Sequence, residues 1–325
     1  MRRREFIAGA GATAAWPIAA RAQQPAVPVV GYLASVSAHD IEPSTATAFL
    51  QGLEEGGYRG GQSVVIEYRG ADGRSDRLPA LARNLVGRAS VIATYDTASA
   101  LAAKAATTAI PIIFATGADP IRFGLVTSFA RPAGNITGVS FLGNVIGSKR
   151  LGLLRELVPK ATTFGFLIDP SNPNAGPEAA DMQTAANLLG YKLVISEAKT
   201  ASEIDASFMT FISQRVDVLV VLAHAFFGGR SRQLADLALR DRLPTISYTP
   251  EFTAAGGLMS YGGDMTEAYR QQGIYTARIL KGAKPAELPV QQVTRFKMVL
   301  NLKTAKALGL EIAPGLLAIA DEVIE

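Results

Sequence analysis

The feature that most constrains this chain is an alternation of short apolar runs with helical patterns, laid down twice. Val27–Ser35 reads as a strand, and Pro43–Gly57 as a helix with Ala46, Phe49, Leu50 and Leu53 at core spacing. Ser63–Tyr68 alternates as a strand. Ser75-Asp76 then caps a helix carrying Leu78, Leu81 and Leu85 on one face. Val91–Thr94 is a strand, Thr97–Thr108 a helix and Ile110–Ala115 a strand. Strands and helices in strict alternation predict a parallel sheet covered on both faces.

The same plan then recurs in order. Val30-Gly31-Tyr32-Leu33 is echoed by Phe164-Gly165-Phe166-Leu167, and Gly57-Tyr58 by Gly190-Tyr191 ahead of the strand Lys192–Ser196. Arg88 before Val91-Ile92 is echoed by Arg215 before Val218-Leu219. Ile110-Pro111-Ile112 is echoed by Leu243-Pro244-Thr245, and Ala133-Gly134-Asn135-Ile136 by Ala255-Gly256-Gly257-Leu258. The expected fold is α/β: two similar doubly wound parallel-sheet lobes joined by a hinge. Beyond the second copy lie a long helix pattern over Asp264–Lys281, a strand over Phe296–Leu300 and a helix from Lys303 to Leu308. These can complete both sheets. Residues 23–140 with about 262–290 are expected in lobe 1, and about 141–261 with 291–325 in lobe 2. Such a chain crosses between lobes about three times, and lobes linked in that way can hinge around a cleft.

The first 22 residues stand apart. Arg2, Arg3 and Arg4 precede an apolar stretch of 14 residues, Ile7–Ala20, followed by Ala20-Arg21-Ala22. That order is expected of an export signal cut after Ala22, and Arg3-Arg4-Glu5-Phe6-Ile7 resembles a twin-arginine signal. The stretch falls short of the roughly 20 residues that span a bilayer. Gly9-Ala10-Gly11-Ala12-Thr13-Ala14 fits G-x-G-x-x-A, but arginines rather than a strand precede it, so it is not read as a dinucleotide site. Four of the 32 basic residues and one of the 28 acidic residues lie in this segment, so the rest of the chain balances near +1. With no basic patch left, nucleic acid is not an expected partner. No cysteine is present, which excludes disulfides, thiolate nucleophiles and thiolate metal sites. The mature chain is expected to be free in the periplasm, without a lipid anchor, and monomeric.

Ligands of open parallel sheets sit beyond the carboxyl ends of the strands. In lobe 1 those ends offer Ser35 and Ser37, then Thr94, Tyr95, Asp96 and Thr97, then Thr116 and Asp119; in lobe 2, Asp169, Ser171, Asn172 and Asn174, then His224 and Phe226, then Tyr248 and Glu251. Each has two readings. Asp96 or Thr97 caps the following helix, or stands where free N–H groups receive a carboxylate. Asp119, which precedes Pro120, caps the next helix, or holds an ammonium. Asn172 and Asn174 shape a turn around Pro173, or contact ligand. Tyr248 belongs to the core, or walls an aromatic pocket with Phe226. Ser35 and Thr97 hydroxyls would take a carboxylate, Asp96, Asp119 or Glu251 an amine, and Tyr95, Phe226 or Tyr248 would flank the side chain. Neither His39 nor His224 lies in a metal-spaced cluster, and no nucleophile elbow or phosphate loop is matched. No catalytic residue, metal or cofactor is therefore expected.

Several stretches resemble the substrate-binding proteins of ABC transporters, in particular the family that includes tryptophan-type binding lipoproteins. They are Gly61-Gln62-Ser63-Val64-Val65-Ile66-Glu67-Tyr68-Arg69, Asp76-Arg77-Leu78-Pro79-Ala80-Leu81-Ala82, and Arg131-Pro132-Ala133-Gly134-Asn135-Ile136-Thr137-Gly138-Val139-Ser140. Glu251-Phe252, Ala255-Gly256-Gly257-Leu258-Met259-Ser260-Tyr261-Gly262 and Asn301-Leu302-Lys303-Thr304-Ala305-Lys306 extend the likeness over the mature chain. The resemblance implies a type I periplasmic-binding-protein fold, a small-molecule ligand in the interlobe cleft, and a membrane permease and ATPase as partners. The family often has a Gly-Thr pair where this chain has Tyr95-Asp96-Thr97, so an aromatic amino acid does not carry over directly. A periplasmic sensor subunit on the same fold is the alternative, and an exported enzyme a more distant one.

Overall fold

The computed structural model describes residues 27–141 and 146–325. The expected export signal, residues 1–22, lies outside these.

The first sheet is built from β1 (Val29–Ala34), β2 (Val65–Gly70), β3 (Val91–Thr94), β4 (Ile112–Thr116) and β5 (Ile136–Ser140). Between them run α1 (Pro43–Glu55), α2 (Leu78–Val86) and α3 (Thr97–Ala106). The chain then enters the second unit through α4 (Ile146–Leu157), β6 (Thr163–Ile168), α5 (Ala175–Leu189), β7 (Lys192–Glu197) and α6 (Ala201–Ser213). It continues with β8 (Val218–Val221), α7 (Ala225–Gly228), α8 (Ser231–Arg240), β9 (Thr245–Ser247), α9 (Pro250–Ala254) and β10 (Met259–Gly263). It returns through α10 (Met265–Leu280) and β11 (Gln291–Gln292), and ends with β12 (Phe296–Asn301), α11 (Leu302–Leu308), α12 (Pro314–Ile319) and β13 (Glu322–Ile324).

Strand order is β11-β5-β4-β3-β1-β2 in one sheet and β13-β12-β10-β9-β8-β6-β7 in the other. Every pairing is parallel except β10 with β12. The central strands β3, β4 and β8 are buried at every position, as parallel strands covered on both faces must be. The fold is the α/β pair of doubly wound sheets that the duplicated pattern predicts.

The returns fall slightly later than expected. Gly262 and Gly263 still belong to β10, where they face Lys297 and Phe296. Gln291 and Gln292 pair with Val139 and Ser140 in the first sheet, so the final passage to the second sheet lies between residues 292 and 296. Ser75-Asp76 does not cap α2 directly. A short 3-10 turn, Ser75–Arg77, intervenes, and the capping position falls to Arg77, which makes no side-chain cap.

One packing contact holds the returning helix on the first lobe. A Cβ on Gly52 of α1 would stand 2.0 Å from the Arg270 carbonyl oxygen, and one on Gly273 of α10 would stand 2.2 Å from that of Phe49. The two helices thus cross backbone to backbone, a contact only glycine permits. It sets α10 over β3 and β4. There buried Gln272 donates to Thr94 O (2.8 Å) and Ile113 O (2.9 Å), and Tyr269 Oη donates to Tyr95 O (2.6 Å). Among the described residues, no helix is long and apolar enough to cross a membrane.

Candidate functional site

The carboxyl ends of both sheets face each other, and two cavities lie between them. The first, with about 490 Å³ of empty space partly open to solvent, is walled by rings: Tyr95 and Tyr269 from lobe 1, Phe141 at the hinge, and Tyr248 from lobe 2. Met265 adds a flexible apolar face. Its polar lining is Asp96 and Thr97 from lobe 1, with Asn172, Asn174 and His224 from lobe 2. The second, with about 720 Å³ of empty space that likewise takes in open solvent, is the more polar. Ser35, Asp40, Asp72 and Ser75 face Asp169, Ser171, Lys199 and Arg230, with Phe226 as its ring. His224 borders both.

Asp96 shows how the sequence builds one wall. It is the N-cap of α3, and its Oδ1 accepts from Ser99 N (2.8 Å). Its Oδ2 accepts from Ser35 N (2.9 Å) and Ser35 Oγ (2.7 Å). The carboxylate therefore ties the end of β1 to the start of α3, and the Ser35 hydroxyl is spent on it rather than left for a ligand. The Thr97 hydroxyl is likewise engaged, 2.7 Å from Thr116 Oγ1 and 3.4 Å from Asn174 Nδ2.

The facing wall has a similar construction. Asp169, at the end of β6, accepts from Ser171 N (2.8 Å) and Ser171 Oγ (2.7 Å). His224 Nδ1 lies 3.0 Å from Asp169 Oδ2, within ion-pair range though too bent for a straight hydrogen bond. Burial pushes the Asp169 carboxyl up, but His224 and Ser171 outweigh it and hold the group below its ordinary value. Asn174 is buried, and its Oδ1 has no hydrogen-bond partner among the described residues.

Tyr95, Asp96, Thr97, Asn172, Asn174, His224 and Tyr248 thus line the first cavity, while Ser35 and Phe226 line the second. Ser37, Thr116, Asp119 and Glu251 line neither, against expectation, and each is used locally. Ser37 caps the turn Ala38–Asp40. Thr116 lies behind Thr97 and also accepts from Ala118 N (3.1 Å). Asp119 accepts from Ile121 N (2.8 Å) and Arg122 N (3.3 Å), closing its own turn instead of holding an ammonium. Glu251 accepts from Thr249 Oγ1 and, across the gap, from Ser44 Oγ (3.3 Å). Phe226 stands under Arg230, whose Cζ is 5.4 Å from the ring centre, and so does not wall the aromatic cavity with Tyr248. Phe141, Met265 and Tyr269 come from segments to which no sequence motif assigned a site.

The lobes touch through side chains on both sides of the cavities. Arg230 Nη1 donates to Asp40 Oδ1 (3.1 Å), Asn174 to Thr97, and Tyr248 Oη to Glu42 Oε1 (3.5 Å). Arg122 Nη1 lies 3.4 Å from Asp181 Oδ2. Contacts of this kind define a closed cleft.

Comparison with known proteins agrees with this geometry. The family model described as "ABC transporter substrate binding protein" matches residues 26–324. A tyrosine-binding protein of Clostridioides difficile (strain R20291) is 26% identical over 264 residues, 81% of this chain and 76% of the relative. An ABC domain from Streptococcus pneumonia in complex with L-Trp superposes with a TM-score of 0.80 at 26% identity, covering 91% of this chain and 99% of the other. A ligand-free, open substrate-binding protein with adhesive properties from Clostridium difficile gives a TM-score of 0.63 at 25% identity, covering 92% and 99%. At nearly equal identity and coverage, this chain overlays better on the liganded structure than on the open one. With almost the whole described chain matched, it belongs to the family of ABC transporter substrate-binding proteins, which bind solutes rather than transform them.

Proposed function

We propose that this protein is the solute-binding component of an ABC importer. In this reading it is carried to the periplasm by its first 22 residues and captures an amino acid or related carboxylate with a ring-bearing side chain. The observation that carries the reading is the ring-walled cavity between two lobes that are already in contact. Tyr95, Phe141, Tyr248 and Tyr269 offer faces and edges to an apolar ring. Relatives whose names give tyrosine and L-Trp as ligands support an aromatic side chain.

The polar ends follow from what the walls leave uncommitted. Asp96 takes the Ser99 amide, so the α3 amides at Thr97 and Ala98 remain for a ligand carboxylate. Asn174 Oδ1, buried and without a partner among the described residues, supplies an acceptor for an ammonium or a ring N–H or O–H. A closed cleft between two linked lobes presents a surface that the open one does not, and that surface is what a permease reads.

Isothermal titration of protein first unfolded and refolded to strip endogenous ligand tests the reading, with L-tyrosine, L-tryptophan, L-phenylalanine and their des-amino and des-carboxy analogues. One-to-one binding of an aromatic amino acid, weakened by removal of either charged end, is the expected result. Equal binding of the analogues would remove the head-group assignment.

A further inference from the structure

The lobes also meet at an acid that neither cavity uses. Glu42 precedes α1 in lobe 1 and is 6% exposed. Its Oε1 lies 2.7 Å from where a Cβ on Gly228 would stand, and Tyr248 Oη lies 2.5 Å from the same point. Gly228 and Tyr248 both belong to lobe 2, so the missing side chain at Gly228 is the room into which the lobe-1 carboxyl fits. Gly229 leaves similar room for Asp40, whose Oδ1 would be 3.2 Å from its Cβ.

The surroundings of Glu42 are acidic or phenolic. Glu251 on α9 faces it from lobe 2, with the hydroxyls of Thr249 and Tyr248. Tyr95 at the end of β3 and Tyr269 on α10 face it from lobe 1. The nearby cations are engaged elsewhere. Arg230 binds Asp40, the His224 ring lies against Asp169, and buried Arg150, beyond Tyr248, donates to Tyr261 O. No cation pairs with Glu42 among the described residues. Burial and the Glu251 charge push its carboxyl up to about 8. Separating the lobes takes away Tyr248, Gly228 and Glu251 together and returns Glu42 to water, where a glutamate titrates near about 4.3.

We propose that the Glu42–Gly228 contact is a proton-binding site built between the lobes, through which each closure takes up one proton from solvent. The proposal rests on reading the cleft as one that closes over its ligand. Closure lodges Glu42 as the neutral acid, with the proton added to its carboxylate and no other bond changed. The group titrates higher in the closed form, so its contribution to closure is full below the open-form value. It is lost as pH rises through the closed-form value. Between those limits one proton changes the closed-to-open ratio by up to about tenfold per pH unit.

The absence of cysteine makes a direct test possible. Arg74→Cys and Ser202→Cys place spin labels on opposite lobes beside the polar cavity. Distances are read by pulsed double-resonance spectroscopy on the ligand-stripped full chain at pH 5.5 and 7.5. The closed-to-open ratio is expected to rise by tens of fold at the lower pH. Glu42→Gln is expected to give one ratio at both values, with the short distance retained, and Gly228→Ala to leave the lobes apart at both. A wild-type ratio that ignores pH overturns the proposal. So does a Glu42→Gln protein that keeps the response, which would move the titration to the His224–Asp169 pair. Calorimetry with L-tyrosine or L-tryptophan in buffers of different ionisation heat should show about one proton taken up per ligand at pH 6.5. Binding without uptake overturns the proton site and leaves the amino-acid reading standing. Failure of every amino acid to bind removes that reading, while the label distances still decide the proton site.

Discussion

Replacing Asp96 separates a strut from a ligand contact. The carboxylate holds three donors: the Ser99 amide that opens α3, and the amide and hydroxyl of Ser35 at the end of β1. Losing an N-cap costs about 1 kcal/mol, and losing hydrogen bonds to a charged acceptor costs about 1.5–3 kcal/mol more. Asp96→Ala should therefore cost about 2.5–4 kcal/mol, which at this chain length lowers the melting temperature by about 4–6 °C. Asp96→Asn keeps an acceptor for Ser99 N and loses the second carboxylate oxygen, so it should cost about half as much. Urea and thermal unfolding of ligand-stripped protein give the stabilities, and titration with an aromatic amino acid gives the affinities. The expected order of stability is wild type, then Asp96→Asn, then Asp96→Ala, with binding by Asp96→Asn within a few-fold of wild type. An Asp96→Ala protein as stable as wild type yet unable to bind would refute the assignment and make Asp96 a partner of the ligand's ammonium.

Three further substitutions probe other parts of the account. Gly228→Ala introduces a Cβ 2.5 Å from Tyr248 Oη and 2.7 Å from Glu42 Oε1; overpacking of about 1–3 kcal/mol should weaken binding about 5- to 150-fold, as read by titration with an aromatic amino acid. Gly52→Ala meets the Arg270 carbonyl at 2.0 Å, backbone against backbone, and should cost at least about 2 kcal/mol in chemical denaturation; a neutral result would contradict the α1–α10 crossing. Asp169 is held below its ordinary carboxyl value in the fold, so it stabilises the protein above the unfolded value of about 3.9 and loses that effect as pH falls through the folded value. Asp169→Asn should thus be less stable than wild type at pH 7 and equal to it in acid, as read from midpoints across pH 2–7.

The duplicated alternation made the fold legible because parallel strands buried on both faces leave continuous apolar runs, as at Val91–Thr94 and Val218–Val221. Distance from a strand end does not decide which candidates reach the site. Asp96, Asn174 and His224 lie two, six and three residues past β3, β6 and β8, and all line the aromatic cavity. Ser37 and Asp119 lie three residues past β1 and β4, yet their oxygens serve the backbone beside them, and those of Glu251 serve nearby hydroxyls. Even at the strand ends, sequence alone could not show which hydroxyls were free: Ser35 is bound to a residue 61 positions away. Tyr269 and Met265 carry no local signal at all. They reach the cavity because Gly52 and Gly273 let α10 lie against α1, a pairing between residues more than two hundred positions apart.

The central claim is that the ring-walled cleft is a receptor site for an amino acid. Thermal unfolding of ligand-stripped protein, with and without aromatic amino acids, tests it most directly. A ligand at about 100 times its dissociation constant should add about 2.7 kcal/mol, a rise of about 4–5 °C at this size. Such a rise with L-tyrosine, L-tryptophan or L-phenylalanine, with the solute recovered unchanged and in one-to-one proportion, is the predicted result. A melting temperature that stays put against all three, in protein shown to be stripped and refolded, would contradict the claim.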